Sequence, residues 1–226
     1  MPQPLRKWGP IRFAHDAVKE RPDLAAGIAE VCAAWTDVEI HLGILLAVIL
    51  DTEARTGVTM YLALTGSQAQ IHAFNGAAEA RLPTSLQPEL DTILQEMRNR
   101  GAERNRVVHA LWGVSDDHPD ALIRCPPESI VRDLATSYQL YLVTGKKVEE
   151  PPQTFIDELT VYKANDFRDI VQRIDGFSRQ IIDFSHRVGA AHVERHLLAS
   201  ALMRSPPADE GGPPQEETHT TPPESV

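Results

Sequence analysis

Between Leu90 and Leu111 the chain sets Leu90, Leu94, Met97, Gly101, Arg104, Val108 and Leu111 at intervals of four and three residues. That spacing traces one stripe of a helix roughly six turns long. An apolar stripe of this length must be covered by other elements. Two of its positions are unusual. Gly101 lets a neighbour come close. Arg104 is costly in a seam unless it is paired or faces an enclosed polar space.

The rest of the chain supplies the cover. Pro22 and Asp23 open a helix that reaches about Asp51, with Ile28, Val31, Cys32, Trp35, Val38, Leu42, Leu45, Leu46 and Ile49 on a broad core face. A second helical region spans about Gly57 to Leu82, and Thr65-Gly66-Ser67 breaks or kinks it. Leu82-Pro83-Thr84-Ser85 reads as a turn with an N-cap, after which the striped helix runs to about Trp112. Short β-branched or aromatic runs follow at Trp112–Ser115, Ala121–Cys125, Tyr138–Thr144 and about Glu158–Tyr162, separated by turn residues. They predict a small antiparallel β insertion over residues 113–163. Asn165-Asp166 caps a helix with Phe167, Ile170, Val171, Ile174, Phe177, Ile181, Ile182 and Phe184 on its buried side. Gly189 is expected to interrupt it, and His192 to Met203 to form a shorter helix. The expected fold is mainly α: an antiparallel helical bundle over residues 22–204 that carries the β insertion. Residues 1–21 form an N-terminal arm whose Trp8 and Phe13 pack on the body.

A chain of 226 residues is long enough for one well-cored domain. The net charge is −10, but residues 205–226 alone hold Asp209, Glu210, Glu216, Glu217 and Glu224 without a Lys or Arg. They read as a disordered acidic tail. The striped helix instead carries Arg98, Arg100, Arg104 and Arg106 close together, a locally basic site compatible with RNA and poorly suited to coating nucleic acid at large. Cys32 and Cys125 share no metal spacing, and Cys32 sits among apolar helical residues as a small hydrophobe. His192 and His196 are four apart, but Val193 stands where a zincin helix needs Glu, so they read as a solvated helix face. No metal or cofactor is expected. The N-terminus lacks the apolar run of a signal peptide, and the longest apolar run, Ile44–Leu50, is too short to span a bilayer. A cytoplasmic protein without a membrane partner is expected.

Chemistry concentrates at the end of the striped helix. The Arg104 guanidinium is a permanently charged fork that matches phosphate oxygens. Asn105, directly after it, can hold a substrate oxygen, and His109 carries an imidazole suited to proton transfer near neutrality. On an ideal helix Asn105 and His109 share a face while Arg104 points away, so all three meet only through the long Arg stem, a frayed helix end or a symmetry mate.

With Arg104, Asn105 and four residues between Arg104 and His109, the chain resembles the HEPN superfamily, whose helical members carry an Arg-x(4 to 6)-His motif with a polar residue after the Arg. Trp112, shortly after the His, adds to the likeness. The resemblance implies a HEPN-like bundle acting as a metal-independent endoribonuclease. His109 would deprotonate a ribose 2′-OH, Arg104 would stabilise the phosphoryl charge and Asn105 would position the group, leaving a 2′,3′-cyclic phosphate. It also implies a homodimer whose motifs meet at the interface, and an acidic residue on the first helix, here Glu39, which either pairs with Arg104 or His109 in the site or forms an interhelical ion pair with no catalytic part. Arg106 is a further supporting residue. A toxin or phage-defence role, with an antitoxin or other protein as partner, fits the same family. The alternative is a non-catalytic HEPN-like dimer that binds RNA or a partner protein.

Overall fold

The computed structural model describes residues 1–146 and 150–204, apart from the side chains of 199 and 201–204. The expected acidic tail therefore lies outside the described residues. Two compact units divide the chain, Met1–His192 and Val193–Val226. The fold is mainly helical with one small antiparallel sheet.

Helix α1 (Pro22–Leu50) is the centre of the first unit. Its length and apolarity would be enough to cross a membrane, more than the short run Ile44–Leu50 suggested. Here those apolar residues make a core: Val31, Val38, Leu42, Leu45, Leu46 and Ile49 are buried among side chains from the other helices. Helix α2 (Ala54–Ala63) lies very close to α1. A Cβ added to Gly57 would stand 2.6 Å from the backbone of Ala47, and one on Gly43 would stand 2.8 Å from Cα of Val58. The Thr65-Gly66-Ser67 break falls where expected. Gly66 takes a φ of 87°, which glycine tolerates without strain, and α3 (Ser67–Arg81) starts immediately after it.

The striped helix is α4 (Gln87–Val108). Ser85 is not its N-cap: Thr84–Leu86 form a 3-10 turn, and Pro88 sits in the first turn of α4, where its missing N–H costs nothing. The helix also stops before Trp112. Inward-facing residues are Leu90, Ile93, Leu94, Met97 and Val107, so Val107 rather than Val108 completes the seam. Leu111 and Trp112 have already entered strand β3 (Leu111–Val114). Trp112 packs edge-on to Tyr162, ring centroids 5.3 Å apart, and against Phe167 at 5.8 Å.

The sheet has five strands, only three of them from the expected insertion. Strands β3, β4 (Ala121–Cys125) and β5 (Thr160–Lys163) form its middle. The arm provides both edges: β1 (Gln3–Pro4) pairs with β5, and β2 (Arg12–Phe13) pairs with β3. Residues between these strands cross one face of the sheet, where Leu5, Trp8, Ile11 and Phe13 pack with Ile123, Cys125, Phe155, Ile156 and Val161. The opposite face, with Trp112, Val114, Leu122 and Tyr162, joins the helical core.

The run Tyr138–Thr144 is not a strand. It is the second half of helix α5 (Pro127–Thr144). Pro127 in the first turn and Gly145 in the left-handed region just past the last residue are helix punctuation. Ile130, Leu134, Tyr138 and Tyr141 recur at helical spacing and outweigh the β propensity of the run. A short helix, α6 (Gln153–Ile156), leads into β5. Helix α7 (Ala164–Arg204) then continues straight through Gly189, contrary to the expected interruption. Gly189 follows the buried Val188, and a Cβ added to it would stand 4.0 Å from a Val48 methyl, so this turn faces α1. His192 is buried, which corrects its reading as part of a solvated face, whereas His196 is exposed.

Two glycines separate packing from propensity. Gly57→Ala should push α2 off α1 and cost about 1–3 kcal/mol, a fall in Tm of several degrees. Gly76→Ala, in α3 with open space around the new Cβ, should instead stabilise by about 0.5–1 kcal/mol. Thermal unfolding of both variants reads the contrast directly.

Candidate functional site

The reason an arginine is tolerated in the stripe of α4 is a cavity of about 520 Å³. Helix α1 provides Trp35 and Glu39, the α2–α3 turn provides Gly66, Ser67 and Gln70, and α4 provides Arg98, Gly101, Arg104 and Asn105. Gly101 is needed here because the Trp35 ring lies over it: a Cβ would stand 3.3 Å from the indole edge. Trp35 in turn donates its indole N–H to Glu39 Oε1 at 3.0 Å. The buried indole thus sets the spacing of α1 and α4 and fixes the Glu39 carboxylate at the rim.

Arg104 and Asn105 meet in this cavity. Nη1 of Arg104 donates to Asn105 Oδ1 at 3.0 Å, so the long Arg stem closes the angular gap expected on an ideal helix. Nε of Arg104 is buried and has no hydrogen-bond partner among the described residues. A buried guanidinium N–H without an acceptor costs roughly 1–3 kcal/mol, and an anion in the cavity would remove that cost. Helix α3 points the same way. No side chain caps its start, and its first-turn residues line the cavity, so its free N–H groups and dipole favour negative charge there.

Charge on α4 is sorted by face. Arg100 is neutralised by Glu96 at 2.9 Å and Glu103 at 3.2 Å. Glu103 also pairs with Arg173 of α7, which holds the Arg173 guanidinium even more firmly protonated than usual. Arg98 and Arg104 line the cavity and bond the side-chain amides of Gln95 and Asn105 instead of a carboxylate among the described residues. Glu39 forms no ion pair with Arg104 or His109; Trp35 occupies it instead. Its charge adds to burial in pushing the phenol of Tyr61, deep in the core beside it, well above the ordinary tyrosine range.

His109 does not join this group. It forms the C-cap of α4, is exposed and does not line the cavity. Arg106 is exposed as well, and its carbonyl accepts from Arg124 Nε at 2.8 Å. Of the five residues expected at the site, Arg104, Asn105 and Glu39 share the cavity, while Arg106 and His109 lie outside it. Trp35, Ser67 and Gln70 were missed. No sequence signal marked the last two, because Gly and Ser are common at helix starts and the missing side-chain cap shows only in the structure. Among the described residues no group of three or more His, Cys, Asp or Glu could hold a metal ion.

No family model matches this chain, and no curated protein or solved structure matches it significantly.

The buried phenols give this core an alkaline limit. Tyr61 and Tyr162 are both held protonated above the usual range, chiefly by burial. The unfolded chain ionises its tyrosines near pH ~10 while the folded chain keeps these two neutral. Their contribution to stability is therefore intact below that pH and is lost as pH rises through it. Denaturant midpoints measured from pH 8 to 11 should fall above pH ~10, and Tyr61→Phe should flatten the fall.

Proposed function

We propose that this chain is a HEPN-like helical protein that binds RNA through the Arg104 cavity and cleaves it without a metal. The observation that carries this reading is the buried, unpartnered Nε of Arg104 beside the uncapped start of α3. A phosphate there accepts from the guanidinium and from the backbone N–H groups of α3, with the Asn105 and Gln70 amides at its edge. Single-stranded RNA offers such a phosphate with a 2′-OH next to it. His109 takes the 2′-OH proton, the 2′ oxygen attacks phosphorus, and the 5′ oxygen of the next nucleotide leaves with a proton returned to it. General acid–base help of this kind is worth about 10²–10⁴-fold, and a well-aimed cation adds comparably. Because His109 lies outside the cavity of its own chain, the reaction needs the imidazole of a second copy, and a homodimer follows.

That placement of His109 also favours a second reading. A protein that keeps the phosphate cavity and has no imidazole in it is a non-catalytic HEPN-like module for RNA or a partner protein. The two readings separate in one assay. Under the first, purified protein cleaves single-stranded RNA in EDTA, leaves DNA intact and yields 2′,3′-cyclic phosphate ends, and Arg104→Ala and His109→Ala each lose at least 100-fold. Under the second, RNA binds and is released uncut, Arg104→Ala weakens binding and His109→Ala does not. Light scattering should show a homodimer if the site is shared. A monomer with full nuclease activity, or a His109→Ala variant as active as the parent, would remove the first reading.

A further inference from the structure

Away from the Arg104 cavity, a second hollow of about 570 Å³ lies between the arm, α5 and α6. Its walls are aromatic: Trp8 and Phe13 from the arm, Tyr138 and Tyr141 from α5, and Phe155 from α6. Trp8 stands edge-on to Phe155 with centroids 6.3 Å apart. The two tyrosines are held toward solvent rather than packed away, Tyr138 being 63% exposed.

One acidic group faces this aromatic lining. Asp133 lies on α5 at the edge of the hollow, and its Oδ1 is buried without a hydrogen-bond partner. The neighbouring Arg132 does not satisfy it, since that guanidinium is taken by Glu158. Burial alone pushes the Asp133 carboxyl above its ordinary range. A buried carboxylate oxygen without a donor is a standing cost, which a cation brought to it would remove.

We propose that this hollow is a binding site for a small organic cation: an ammonium on a compact apolar or aromatic body. The ammonium lies beside the Asp133 carboxylate at the edge of the hollow and over the faces of the tyrosine and tryptophan rings, whose quadrupoles attract positive charge. The apolar body fills the space beside Phe13 and Phe155. The volume is that of a single-ligand pocket. The site is separate from the Arg104 cavity, and its ligand has the opposite charge.

Calorimetric titration of the full chain with phenethylammonium and with its neutral counterpart 2-phenylethanol tests this. The amine should bind about ten-fold more tightly or better, the worth of a desolvated cation–π and carboxylate contact. Asp133→Asn should erase that preference by lowering the amine's affinity to that of the alcohol, with Tm equal to or above the parent's because the unpaired buried charge is gone, and Tyr138→Ala should weaken both compounds. Equal binding of amine and alcohol by the parent protein, a comparison that needs no variant, would overturn the assignment, as would Asp133→Asn with the preference intact. An acetyl-Leu-Phe-Lys-Leu-amide peptide binding ten-fold more tightly than the amine would also overturn it, in favour of a partner protein's lysine.

Discussion

The contact of the Trp35 indole with Gly101 governs how the helical part of this protein can be put together. A large ring on α1 meets a residue with no side chain on α4, and the indole N–H is satisfied within the same helix by Glu39. The ring is too wide for the two helices to close completely at that level. Below it, toward Leu90 and Leu94, ordinary aliphatic packing resumes. Above it the helices leave a gap, and the α2–α3 turn caps the gap without filling it. Arg104 is affordable in the seam for that reason. Its charge does not enter the core; it borders a space that the tryptophan keeps open. A smaller residue at position 35 would let α4 approach α1, and the guanidinium would then be buried outright.

Much of this was legible from residue spacing. The core face of α1, the break at Gly66, the stripe of α4 as far as Arg104 and the buried side of α7 follow from helical periodicity, because each is set by the side chains' own spacing. The departures have separate causes. In Tyr138–Thr144, β-branched and aromatic residues on a helix that stays largely solvent-facing imitate a strand, and the helix shows only over the longer span from Pro127 to Gly145, in its end residues and in the spacing of Ile130, Leu134, Tyr138 and Tyr141. Gly189 looked like an interruption because glycine propensity was weighed without the α1 surface behind it. The arm's strands are two residues each, and their partners lie far away in the chain, so no local pattern marks them.

The candidate site divides in the same way. That Arg104 faces an enclosed polar space could be anticipated, since an unpaired charge in a seam leaves few alternatives. That Glu39 serves Trp35 rather than Arg104 could not, because Trp35 is one turn away on the same helix whereas the reach to Arg104 depends on the α1–α4 spacing. The position of His109 depends on where α4 ends. Val107 and Val108 pass the chain into a strand, and a histidine at the junction turns out of the helix instead of following its face. Had the helix continued, the imidazole would still point roughly 140° away from the guanidinium, so the two meet only through the Arg stem or across two chains.

The arm that crosses the sheet has a consequence for how the molecule is made. Gln3 is registered with Val161 and Arg12 with Val114, so a single short strap bridges contacts separated by more than a hundred residues. Closing such distant pairs comes late, because loop entropy must be met before the contacts repay it. Until the strap is laid down, β3 and β5 keep open edges and the apolar face around Ile123 and Val161 is uncovered. The helical core can assemble without it. A chain in which the strap is not seated exposes two unpaired strands ready to pair with a neighbour.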